Sequence, residues 1–332
     1  MNIFNTIFFK FIAISCFVVF MQCDNATKPI DKAKLNTNIA SFNEDSAYLF
    51  IQQQVDFGPR VLSSESHKKC SSWLVSQFEK YGLIVQVQEA EVTTFDGRKH
   101  IINNIIAQYK PEIKQRIFIS AHWDSRPFAD QDNTEKNKPI LAANDGGSGV
   151  GVILELARLL HKTQKNTGVD FFLWDAEDYG QPEDGGGFSM QEDTWCLGSQ
   201  YWSKNKKPEH YTAQFGINLD MVAGRNATFT MEGTSMTYAP EKMRYVWDLA
   251  NELGYSSYFV TQRTNDLIDD HLYINKIAKI PTIDIIHRDL STQSGFWKHW
   301  HTHNDNMENV DKKSIKAVGE TVWTVLLRNV LS

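Results

Sequence analysis

Five short segments of the chain hold residue types that could do chemistry. They are His122-Trp-Asp124, Asp145 within Asn144-Asp-Gly-Gly-Ser-Gly149, the adjacent pair Glu177-Asp178, Asp220, and the stretch Trp300-His-Thr-His-Asn-Asp305. All offer carboxylates or imidazoles, and no cysteine stands beside a histidine. Unpaired polar groups are costly to bury, so the convergence of this many needs a balancing cation. Carboxylate and imidazole donors without thiolate suit a catalytic zinc ion that keeps a position open for water or substrate. Calcium would take more oxygens and little imidazole. Glu177 and Asp178 can divide the work, one carboxylate on the ion and its neighbour free to move protons. Taken singly, each residue has a plainer reading. Asp145 or Asn144 could cap the helix that follows, and Glu177 and Asp178 could be solvated loop acids. Of His299, His301 and His303, one or two at most need matter.

Position along the chain is what joins them. Apolar periodicity predicts helices near 41–56, 64–80, 147–162, 198–206, 240–254 and 313–331. Strands are expected over 84–92 and 101–109, joined by the Phe95-Asp-Gly-Arg98 turn, then over 116–121, 169–174, 215–219 and 281–286. Continuous apolar strands alternating with helices predict an α/β fold. The expected form is a three-layer αβα sandwich around a mixed, mostly parallel twisted sheet, with the opening hairpin adding antiparallel strands at an edge. In such sheets ligands bind beyond the C-terminal ends of the strands. His122, Glu177-Asp178 and Asp220 each follow directly on a strand, and Asp145 immediately precedes the central helix.

The rest of the chain sets bounds. It has 332 residues, 42% apolar, with nine Trp and a net charge of -6. Nothing in that charge favours nucleic acid, and no basic cluster is dense enough to track phosphates. Residues 1–23 read as an export segment: Lys10 precedes an apolar run from Phe11 to Met21 that is short for a membrane span. The run ends at Gln22-Cys23-Asp24, and Cys23 there is the expected lipid attachment point, although Met21-Gln22 stand where small residues are usual. Residues 24–40 read as a linker and 41–332 as a single catalytic domain. The expected setting is therefore periplasmic, or anchored on a bacterial membrane. Cys70 and Cys196 are expected to be free, buried thiols.

The order His122-x-Asp124, Asp145 in Asn-Asp-Gly-Gly-Ser-Gly, Glu177-Asp178, Asp220, His301 resembles that of the zinc aminopeptidase superfamily with its phosphorylase-like α/β fold. Asp175-Ala-Glu-Asp-Tyr-Gly180, Trp195-Cys-Leu-Gly-Ser-Gln-Tyr-Trp202, Asp269-Asp-His271 and Trp300-His-Thr302 narrow the likeness to animal-type glutaminyl cyclases in a bacterial lipoprotein form. The resemblance implies one zinc ion on Asp145, Asp178 and His301, with Glu177 as proton shuttle. It implies that Asp269 and Asp220 belong to a carboxylate network beside the substrate and that Trp300, Trp195 and Phe296 wall the pocket. His122 would lie near the metal without binding it. The implied substrates are peptides or proteins with an N-terminal Gln. The animal enzymes carry Glu at the position of Asp178, so the backbone must come closer to the ion here, and they carry His at the position of Asp284.

Two rival readings remain. His122, Asp145, Asp178, Asp220 and His301 are all competent ligands, so a two-zinc aminopeptidase on the same fold is one. A non-catalytic peptide-binding surface lipoprotein is the other, against which an intact Glu177 argues.

Overall fold

The computed structural model describes residues 40–328. The export segment, Cys23 and all but the last residue of the 24–40 linker lie outside the described residues. The first two strands, β1 (Ile84–Thr93) and β2 (Lys99–Tyr109), form the expected antiparallel hairpin. The sheet then takes in β3 (Arg116–His122), β4 (Gly168–Trp174), β5 (Gly216–Asp220) and, after the short pair β6 (Phe229–Met231) and β7 (Phe259–Arg263), β8 (Thr282–Ile286). The described residues form a six-stranded sheet in the order β1-β2-β4-β3-β5-β8. β2 joins β4 antiparallel, and the β4-β3-β5-β8 part is parallel throughout. The mixed, mostly parallel sheet is therefore as expected.

Side-chain alternation divides the core in two. Every residue of β3 and β4 is buried, as befits strands covered on both faces. Ile117, Ile119, Phe171 and Leu173 face the larger core, whereas Phe118, Phe172 and Trp174 face a smaller aromatic one with Trp202 and Tyr211. The larger core is covered by α1 (Glu44–Val55), α2 (Glu65–Lys80), α3 (Gly147–Thr163), α6 (Pro240–Glu252) and α8 (Lys312–Arg328). The smaller lies under α4 (Leu197–Lys204) and the turn at Ile274–Ala278. These are the three layers.

Local chemistry starts the helices. Asn43 and Ser64 accept backbone N–H bonds and cap α1 and α2. No side chain caps α3, whose N-cap position is Gly146 at φ 80°. A Cβ there would collide with the His122 ring and the Asp124 carbonyl. The plainer reading of Asn144 and Asp145 as helix caps is thereby excluded: the Asn144 side chain instead accepts the Ala223 N–H at 2.7 Å, and Asp145 is left for the site. The pair β6-β7, α5 (Gly233–Tyr238) and α7 (Asp270–Tyr273) were not anticipated: β6, α5 and α7 hold too few positions to show a period, and β7 is buried only at Phe259. Among the described residues no helix is long and apolar enough to cross a membrane.

Candidate active site

The strand ends bring the chemical residues to one place, and the loops there are held by carboxylates that point away from the cavity. Asp124 accepts the backbone N–H groups of Glu177 and Asp178 through its two oxygens, at 3.1 Å each. Asp305 does the same for Asn144 and Asp145, at 2.7 and 2.9 Å. Asp175 accepts from Asn103 N–H and lies 2.9 Å from Nε2 of His67, whose ring is stacked on Trp123. Between these grips the backbone turns sharply. Ala176, Met221 and His301 all adopt positive φ, at 54°, 48° and 55°. Strained non-glycine backbone of this kind persists where the surroundings over-determine it.

Asp145, Asp178 and His301 bring one potential ligand atom each within 4.8 Å of one another. His301 Nε2 is 3.1 Å from Asp178 Oδ1 and 3.7 Å from Asp145 Oδ2. Both Asp178 oxygens are buried without a hydrogen-bond donor. Lone pairs left bare in this way fit a cation at their focus, and two carboxylates with one imidazole fit zinc. A second group shares Asp145. His122 Nε2 lies 2.9 Å from Asp145 Oδ1 and 3.4 Å from Asp220 Oδ1. Neither His122 nitrogen has hydrogen-bonding geometry to these oxygens, and Asp220 Oδ1 is likewise unpartnered. Both groups thus have the donor chemistry of a divalent site.

Charge is scarce on the positive side. Burial and then the Asp145 charge push the Asp178 carboxyl up to about 6. The same two causes push Asp220 up to about 7. Burial, opposed by His122 and reinforced by Asp178, Asp269 and Asp270, lifts Glu177 well above the carboxylate range. A dication here would offset what burial and crowding cost these acids. Behind His301 the balance reverses. Asp130 Oδ1 is 3.2 Å from His301 Nδ1, and Arg126 grips the same carboxylate through two N–H groups at 2.8 and 3.0 Å. Burial would raise Asp130, but His301 and Arg126 more than offset that and hold it well below the usual range. Arg126 also donates to the carbonyls of Asp178 and Gly180.

Glu177 is 12% exposed at its side chain and lines the cavity. Its Oε1 accepts from the Cys196 thiol at 3.2 Å. Burial and then the Glu177 charge push that thiol well above its ordinary range, so it stays protonated and donates. Cys70 and Cys196 are both free and buried, as expected. Trp300 stacks on the His301 ring at 3.7 Å, with Phe296 at 4.7 Å from Trp300. Trp195 lies parallel to His301 on another side and packs flat on Gly180, where any Cβ would run into the indole.

The resulting cavity is about 360 Å³ and is lined by Asp145, Glu177, Asp220, Asp269 and His301 together with Trp195, Phe296 and Trp300. Asp178 and His122 lie buried beneath it. Every site residue singled out from the described part of the sequence is therefore in or under one cavity. The expected carboxylate network takes a different course in part. Asn218 donates to Asp269 at 3.2 Å and to Asp284 at 3.4 Å, and Ser120 donates to Asn218. Among the described residues no hydrogen bond ties Asp220 into that chain, and its near neighbour is His122. Sequence reasoning missed Arg126, Asp130 and the gripping role of Asp305. The spacing of Arg126 and Asp130 was visible, but nothing local said that the pair would back His301.

Fold and donor set together define an α/β metalloenzyme of the zinc type. The chain belongs to peptidase family M28, which it matches over residues 104–326. It is 47% identical to the structure of Tannerella forsythia glutaminyl cyclase, with a TM-score of 0.84 over 86% of this chain and 99% of that one. It is 44% identical to a Zn-dependent exopeptidase from Parabacteroides distasonis, with the same TM-score over 87% of this chain and 99% of that one. Among curated relatives, aminopeptidase YwaD of Bacillus subtilis is 27% identical over 255 residues. That match covers 72% of this chain but only 47% of the relative, so the chain spans about half its length.

Proposed function

We propose that the chain is a glutaminyl-peptide cyclotransferase that converts the N-terminal Gln of peptides or proteins to pyroglutamate and releases ammonia. The observation that carries this reading is a small cavity walled by Trp195, Trp300 and Phe296 in which Glu177, free of the ligand group, stands next to Asp178. Likeness to the Tannerella forsythia glutaminyl cyclase supports it. Asp145, Asp178 and His301 would hold a single zinc ion, whose Lewis acidity polarises the side-chain amide carbonyl and steadies the charge that develops on its oxygen. The aromatic walls hold the short Gln side chain folded back on its own α-amine, so that the attack is intramolecular. Glu177 takes a proton from that amine as the new N–C bond closes the five-membered lactam. It returns the proton to the side-chain nitrogen as the old C–N bond breaks and ammonia leaves. Cys196 and the backbone grips of Asp124 keep Glu177 aimed at this path.

The shared Asp145 favours a second reading, a two-zinc aminopeptidase with His122 and Asp220 completing another site. One assay separates the two. The zinc-loaded protein is incubated with a Gln-initiated peptide and with aminoacyl substrates, and ammonia release, mass loss and hydrolysis are followed. Ammonia release with one zinc per chain and no hydrolysis is the expected result; hydrolysis with two zinc ions overturns it. The proposal also includes export and lipid attachment at Cys23, for which the apolar run before that residue is the support. Mass analysis of the membrane-extracted protein tests it, and an unmodified Cys23 would refute the anchor.

A further inference from the structure

The mouth of the cavity carries side chains that the reaction above does not use. Met190 and Ile268 are 67% and 62% exposed, although both line the opening. Glu183 and Asp266, also exposed, line it with them. The Asp266 carboxylate lies against Gly233, where a Cβ would collide with it. No Lys or Arg lines the cavity. Deeper in, Asp269 is only 4% exposed and keeps Oδ2 unpartnered. The entrance is therefore an apolar patch edged by two acids that make no ion pair among the described residues, with Lys276 in the adjoining hollow that shares Met190 and Ile268, and it is continuous with the pocket for the reacting residue.

We infer that Met190, Ile268, Glu183 and Asp266 form a subsite for a Lys or Arg side chain at the position following the N-terminal Gln, an inference that rests on the cyclotransferase reading. Long cationic side chains cover apolar surface with their methylene stems while the charged head stays in water. Met190 and Ile268 match the stem, and Glu183 and Asp266 match the head. A Leu at that position uses only the apolar half. A Glu meets two like charges. Exposed ion pairs are individually weak, so two acids give roughly a tenfold preference for Lys over Glu, expressed in KM. Salt should erode it, because at about 1 M the screening length is only about 3 Å.

The test uses the zinc-loaded protein and tetrapeptides that differ only at the second position: Gln-Lys, Gln-Arg, Gln-Leu and Gln-Glu, each followed by the same two residues. Ammonia release is read as kcat and KM at low and high salt. Lys and Arg are expected to lead Glu by about tenfold in kcat/KM through KM, with the gap closing in high salt. In the Glu183→Lys/Asp266→Lys double variant the Lys-to-Glu ratio is expected to invert, and a ratio does not depend on how much of the variant folds. Equal turnover of all four peptides overturns the subsite and leaves the cyclotransferase reading standing, as does a double variant that keeps the Lys preference. Turnover of none of them overturns the cyclotransferase reading, and the subsite with it.

Discussion

The two ligand groups that share Asp145 differ in what stands behind them. The group with Asp178 and His301 is backed by a built frame: Asp130 behind His301, Arg126 across Asp130 and the Asp178 carbonyl, and Asp124 on the Asp178 N–H. The group with His122 and Asp220 has less. His122 Nδ1 lies 3.5 Å from Asp124 Oδ1 and His301 Nδ1 3.2 Å from Asp130 Oδ1, both short of hydrogen-bonding geometry, but among the described residues no guanidinium grips Asp124 or Asp220 as Arg126 grips Asp130. Metal-ligating histidines usually have the other ring nitrogen oriented by a carboxylate or carbonyl, and such partners sharpen affinity. Donor type alone made the two groups equivalent. The frame behind them favours the Asp145, Asp178 and His301 group as the tighter site, which accords with a one-ion cyclotransferase.

The largest effect should come from removing a ligand from one group and then the other. His301→Ala is expected to lose bound zinc and with it all measurable ammonia release, whereas His122→Ala retains about one zinc per chain after dialysis. Metal analysis of the two proteins decides it; the opposite pattern would reverse the ranking of the groups. Next comes Glu177→Gln, which should keep zinc and lower kcat by about 10²–10⁴-fold. Surviving activity would mean that the base is misassigned. Asp130→Asn tests the frame itself and should weaken zinc binding by about 10–100-fold in a chelator competition. If affinity is unchanged, the frame has no part in ranking the sites.

Acidity offers a finer contrast. Zinc binds the deprotonated carboxylate, so protons compete with it below the pKa of the ion-free group. His301, raised above its ordinary value of 6.5, must also give up its proton, so affinity at the first group should already fall as the pH drops towards that value, and more steeply once Asp178, at about 6, protonates. An ion that needed His122, raised well above its ordinary value, and Asp220, at about 7, would begin to weaken at a higher pH. Zinc titrations across this range distinguish the two onsets. The smallest effect is expected from Cys196→Ala, which removes one donor to Glu177 and should lower kcat by about 2–10-fold with zinc content unchanged. Cys196→Ser should recover most of that loss.

Much of this was legible in the chain. Apolar period gave the long helices and the six main strands, because α3, β3 and β4 are buried along nearly their whole length and must be apolar there. Strand-end position gave Glu177, Asp178 and Asp220, since a parallel sheet delivers every strand end to one side. β6 escaped because three residues leave no pattern to count, and β7 because only Phe259 of it is buried, whereas the equally short β5 and β8 are buried throughout and read as apolar runs. Asp145, Asp178, His301 and the aromatic residues around them were thus determined by sequence alone, as types and as a set. Tertiary structure decided which acids face the cavity and which hold the backbone. Asp124 and Asp305 look no different from Asp145 in sequence, but each turns both of its oxygens to peptide N–H groups of a neighbouring loop. It also decided that Arg126 and Asp130 back His301 across 171 residues of chain. Pattern and spacing record local geometry, and electrostatic support between distant loops exists only once the sheet has brought their ends together.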